Sequence, residues 1–136
     1  MAVQREIFGV IKSFGIAALS FAIICASVAS AQNLTGPQKN AVRSAESYLS
    51  FQGFSRAGLI EQLSSAYGDG YSTADATAAV NSLSVDWDAQ AARSAKQYLE
   101  LMGFSCTGLI EQLSSDAGDK YTVGQATYGA QTAGAC

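Results

Sequence analysis

The 136-residue chain contains no histidine. That removes the usual general base near neutral pH and the commonest metal ligand together. A serine hydrolase would lack its base. Cysteine is also sparse: of the three, only Cys106 and Cys136 lie beyond the N-terminal apolar segment, with no histidine to complete a zinc site or activate a thiol. Charged residues make up 14% of the chain, and beyond residue 31 six basic side chains face ten acidic ones, a net charge of −4. Phosphate neutralisation supplies most of the affinity of a duplex-binding protein, so a basic stripe is expected of one and none is present. Gly68-Asp69-Gly70-Tyr71 is rich in glycine but lacks the lysine and the strand-to-helix setting of a phosphate cradle, and it reads as a turn. These absences predict a protein that is not an enzyme, holds no cofactor or metal and binds no nucleic acid.

Residues 1–31 have the shape of an export signal. Arg5 and Lys12 stand ahead of an apolar stretch from Phe14 to Ile24, and Ala29-Ser30-Ala31 offers a cleavage site before Gln32. Two other readings stay open. Residues 7–31 are long enough to remain as a membrane anchor if Lys12 snorkels. Cys25 could carry a lipid, although Ile24 stands where a lipobox has a small residue. All three place the rest of the chain outside the cytoplasm, in the periplasm, at the cell surface or secreted, where disulfides persist. Cys106 and Cys136 are therefore expected to pair.

What the chain does have is a module written twice. Residues 38–81 laid over 88–131 agree at 22 of 44 positions without a gap. The longest identical block is Gly58-Leu59-Ile60-Glu61-Gln62-Leu63-Ser64-Ser65, returning as Gly108 to Ser115. Repeats of this length generally mean one supersecondary unit stacked on its copy. Within each unit the apolar residues keep helical spacing: Ala41, Ala45, Tyr48 and Leu49, then Ala91, Ala95, Tyr98 and Leu99. Gly53 and Gly103 are expected to end these helices in a left-handed conformation. Ser55 and Ser105 restart the chain as N-caps of a short second helix, and Ser72 and Thr122 open a third. The fold is therefore all-α, with a signal over 1–31 and three-helix, helix-turn-helix-like units over 32–84 and 85–136. Neither unit has many large apolar groups, so the two are expected to lean on each other, with Trp87 at the junction as the candidate interface residue.

Glu61 with Asp69 recurs as Glu111 with Asp119. An enzyme this short has little use for two equivalent catalytic pairs, whereas a turn or a cap needs one in each unit. Together with Asp116, these acids define an expected acidic face. Tyr71 and Tyr121 flank the repeated loops beside it and extend the candidate partner-binding surface, since tyrosine and complementary charge are favoured where proteins meet proteins.

The combined pattern resembles the Ltp-like host cell surface-exposed lipoproteins. The matching residues are Ala45, Tyr48-Leu49, Gly53-Phe54-Ser55-Arg56, Gly58 to Leu63, Gly68-Asp69-Gly70-Tyr71, Asp75-Ala76-Thr77 with Val80, Val85-Asp86-Trp87 and the second copy. The resemblance implies tandem helix-turn-helix-like repeats displayed outside the cytoplasmic membrane. It also implies, for members carried by prophages, superinfection exclusion by engaging the tape measure protein of the phage tail. The expected function is protein binding at the cell envelope. A surface protein without a specific ligand and a nucleic-acid-binding helix-turn-helix protein are the alternatives.

Overall fold

Each of the six helices among the described residues starts at a side chain that can accept a hydrogen bond from the first turn. Thr35, Ser55, Ser72, Asp86, Ser105 and Thr122 accept from the backbone N–H three residues on, satisfying a donor that the helix cannot pair internally. Thr35 and Thr122 do so within capping boxes, Gln38 and Gln125 reaching back to the cap N–H. The resulting elements are α1 (Gly36–Phe51), α2 (Arg56–Ser64), α3 (Thr73–Ser82), α4 (Trp87–Leu101), α5 (Cys106–Ser114) and α6 (Val123–Thr132). The computed structural model describes residues 33–136, which contain no β-strand. The cleavage site between Ala31 and Gln32, the candidate anchor over 7–31 and Cys25 lie outside the described residues. No helix among the described residues is long and apolar enough to cross a membrane.

The three helices of each unit close on a small core. In the first unit Ala45, Leu59, Leu63, Ala76 and Val80 are buried together, flanked by Tyr48, Leu49 and Phe54. In the second, Ala91, Ala95, Leu109, Leu113, Tyr121, Ala126 and Ala130 do the same. Alanine at the crossings lets the first and third helices approach closely, and the two leucines of the middle helix fill the space beneath. Full burial of each leucine is worth about 1.5–3 kcal/mol, so the four carry much of the apolar stabilisation. Edge-to-face pairs close one side of each core: Tyr48 with Phe54 at 5.7 Å and Tyr98 with Phe104 at 5.6 Å.

Two expectations are corrected. The helices α1 and α4 do not end in a left-handed glycine: Gln52 and Met102 cap them in extended conformation, and the positive φ values occur at Gly70, Lys120 and Gly134 instead. The chain leaves each helix straight because Phe54 and Phe104 must reach back to the core. Nor do the units share a core. Their large apolar groups are satisfied within each unit, and what joins the units is mostly polar. Trp87, the first residue of α4, packs with Leu83 against the core of the first unit, so the apolar contact at the junction comes from the covalent connection.

The units also end differently. After α3, Leu83 runs extended toward α4. After α6, Ala133 stays helical, Gly134 turns with φ of 90°, and the disulfide Cys106–Cys136 brings the chain end to the start of α5, with Ala133 and Ala135 packed on the second core.

Candidate protein-binding surface

The surface is built on the repeated turn between the second and third helices. In each copy Asp69 N–H and Asp119 N–H donate to the carbonyls of Gln62 and Gln112, while Tyr71 N–H and Tyr121 N–H donate to those of Leu63 and Leu113. The next residue is then an N-cap. A left-handed residue is required between aspartate and tyrosine. Gly70 takes it with φ of 68°, and Lys120 takes it with φ of 61° despite its side chain.

These turns fix the carboxylates. Tyr48 Oη donates to Asp69 Oδ1 at 2.7 Å and Tyr98 Oη to Asp119 Oδ1 at 2.9 Å, while Gln62 and Gln112 donate to the same phenols. The repeated aspartate thus ties the turn to the first helix of its own unit. Burial raises the Asp119 carboxyl above the usual carboxylate range, an effect that the Tyr98 hydrogen bond only partly offsets. Tyr98 is raised by its own burial and by Asp119. Tyr48 is raised chiefly by its bond to Asp69.

The expected acidic face is consequently thinner than the sequence suggested. Glu111 and Asp116 are exposed on it, and Asp69 is exposed with one oxygen committed to Tyr48. Glu61 is paired with Lys120 across the junction of the units. Asp119 is half-buried at that junction. Tyr121 is corrected outright as a docking residue: it is 3% exposed, its hydroxyl shares a 2.8 Å hydrogen bond with Ser94, and burial drives its pKa far upward. The cause is the first unit, whose Gly53 lies against Ser94 and closes over the Ser94–Tyr121 pair. Tyr71, at the same point of the first copy, is partly exposed and pairs more loosely with Ser44 at 3.3 Å. Tyr67 and Phe51 are the aromatics that face solvent most fully, at 103% and 80% exposure, with Tyr128 of α6 about half exposed.

A seam not foreseen from the sequence holds the two turns beside each other. Arg93 of α4 donates to the carbonyls of Leu49 and Ser50, covering the negative end of α1 with a positive charge. Gln97 accepts from Gly53 N–H at 3.1 Å. The Ser55 hydroxyl donates to the Asp119 carbonyl. Gly53 lies so close to α4 that a Cβ there would sit 2.7 Å from the Gln90 carbonyl oxygen and 2.8 Å from Ser94 N. Between the units runs a polar cleft of about 290 Å³ whose walls include Gln52, Glu61, Gln62, Tyr67 and Lys120. A second hollow of about 430 Å³ continues it past Phe51, Glu100 and Leu101. No cluster of three or more metal-ligating side chains occurs among the described residues.

With this geometry in hand, comparison with known proteins gives a consistent result. The profile of the family described as host cell surface-exposed lipoprotein matches twice, over residues 37–83 and 86–132. A solved structure of Ltp, a superinfection exclusion protein from the Streptococcus thermophilus temperate phage TP-J34, is 32% identical. It superposes with a TM-score of 0.64 over 72% of this chain and 96% of that one. No functionally curated protein matches. The tandem profile match, the two three-helix units and the likeness to Ltp agree, and the chain belongs to the host cell surface-exposed lipoprotein family, the Ltp family, whose members act outside the cytoplasm.

Proposed function

We propose that this protein is a non-enzymatic superinfection-exclusion factor that binds a phage protein at the cell envelope and hinders entry of phage DNA. The observation that carries this reading is the likeness to the phage TP-J34 exclusion protein across both repeats, at 32% identity. A protein partner fits the surface. Glu111 from α5 and Asp116 and Asp69 from the repeated turns present negative charge, and Tyr67 is exposed beside the cleft between the units. Such a surface attracts a basic segment and speeds its encounter. The tape measure protein of the phage tail, which the family resemblance names, is the proposed partner.

The test is expression of the full gene in a phage-sensitive host, scoring plaque formation and DNA entry separately from adsorption. Normal adsorption with blocked DNA entry is expected. Unchanged plaque counts with the protein present at the envelope would remove the reading. Alanine at Glu111, Asp116 and Asp69 together should weaken partner binding most at low salt, because exposed charges act through a field that salt screens. Mass spectrometry of the exported form separates cleavage after Ala31 from lipidation at Cys25 and from a retained anchor.

A further inference from the structure

The seam that joins the two units is heterologous: one face of the first unit meets a different face of the second. Because the module is duplicated, each unit carries both faces, and one copy of each is left over. On the giving side the first unit uses the carbonyls of Leu49 and Ser50, Gly53, Ser55 and Glu61. Fifty residues on, the second unit repeats this side as Leu99, Glu100, Gly103, Ser105 and Glu111. Among the described residues the second copy is unoccupied: none lies within 4 Å of a Cβ built at Gly103, and Ser105 is exposed where Ser55 is 2% exposed. On the receiving side the second unit uses Arg93 and Ser94 of α4, and the first unit repeats them as Arg43 and Ser44 of α1. Arg43 is exposed and, among the described residues, reaches only Asn40 of its own helix.

Nothing among the described residues requires glycine at position 103. Its φ is not positive and no neighbour crowds it. Its counterpart Gly53 is required because α4 lies against it. Beside Gly103, Leu101 and Met102 are 80% and 60% exposed, an apolar edge next to an unused polar seam. The chain end does not follow the path that leads from Leu83 into α4: Gly134 turns it, and the disulfide holds it at the start of α5.

We propose that the unused half-seams join to each other, the Gly103–Ser105 loop of one copy docking on the Arg43–Ser44 face of α1 in a second copy, so that the protein associates head to tail. Arg43 takes the carbonyls at the end of the other copy's α4, as Arg93 takes those of α1. Two contacts of the internal seam are missing, since Ser47 replaces Gln97 and Gly70 replaces Lys120. The contact is therefore weaker than the internal one and reversible. A heterologous contact of this kind does not close on itself, so it builds chains rather than a fixed dimer.

The experiment is sedimentation velocity of the exported protein from about 10 μM to about 1 mM, with Arg43→Glu and Gly103→Val variants. Both positions are exposed and unneeded by the monomer, which circular dichroism and thermal melting of each variant check. The native protein should show a mass average that climbs with concentration beyond the dimer. Each single variant should stay monomeric, and an equimolar mixture of the two should stop at the dimer, because each keeps the half that the other has lost. A native protein that is monomeric throughout overturns the proposal. So does association that survives in either variant alone, or a mixture that fails to restore the dimer.

Discussion

Tyr71 and Tyr121 stand at the same point of the same repeated turn, yet one is partly solvent-exposed and the other is sealed in the core against Ser94. The two units differ in this way throughout. The first is held at its far end by the continuing chain, with Trp87 over its core, and by an Arg56 to Asn81 hydrogen bond. The second is closed in another way. At the positions of Arg56 and Asp86 it has Cys106 and Cys136, whose disulfide closes the end covalently. A repeat built to stack needs something over its outer face, and in the second unit a covalent link supplies it.

The largest test of that difference is Cys106→Ala with Cys136→Ala. Opening the loop should cost about 3 kcal/mol by the chain-entropy relation, and the loss should fall on α5 and α6. Arg56→Ala, the counterpart in the first unit, should cost only about 1 kcal/mol, as expected for an exposed hydrogen bond. Chemical denaturation of the three proteins, with and without reductant, measures both.

Next comes the pair of glycines. Gly53→Ala must push α4 away from the loop and should cost about 1–3 kcal/mol, the usual range for overpacking against fixed backbone. Gly103→Ala meets open space and should change stability by less than about 0.5 kcal/mol. Equal costs at both positions would mean that the seam is not where the structure puts it.

Lys120 offers a smaller effect of either sign. Lys120→Gly relieves a left-handed side chain, a gain of about 1 kcal/mol, and removes an ion pair with half-exposed Glu61 worth about 0–1 kcal/mol. Thermal melts should therefore shift little, whereas Gly70→Ala, which only adds strain, should lower the melting point by an amount equivalent to about 1 kcal/mol.

The last contrast is in pH. Asp119 is raised in the folded state above its ordinary value of 3.8, so the folded protein holds that proton more tightly than the unfolded chain does. The contribution favours folding below pH 3.8 and is lost as pH rises through the raised value. Replacing Asp119 with asparagine should flatten this part of a stability-versus-pH profile.

The helices were legible from the sequence because their signals are local. Caps at Ser55, Ser72, Ser105 and Thr122 and alanine at helical spacing act within a few residues. The disulfide was legible from compartment and parity. The seam was not, since its acceptors are backbone carbonyls of Leu49, Ser50 and Asp119, which every residue possesses. Only the pairing of Arg43 with Arg93 and Gly53 with Gly103 hinted at it, and which copy is used depends on how the units stack. The burial of Asp119 and Tyr121 was hidden for the same reason: their counterparts Asp69 and Tyr71 lie in a closely similar local sequence without the other unit's Gly53–Ser55 loop beside them.

The central structural claim is that each unit has its own core and that the disulfide serves the second. Native-state hydrogen exchange before and after reduction tests it most directly. Reduction should speed exchange of the amides around Leu109 and Leu113 by roughly 100-fold, the factor that corresponds to about 3 kcal/mol. The amides around Leu59 and Leu63 should keep their rates. If both sets accelerate together by the same factor, the units unfold as one and the account of two separate cores is wrong.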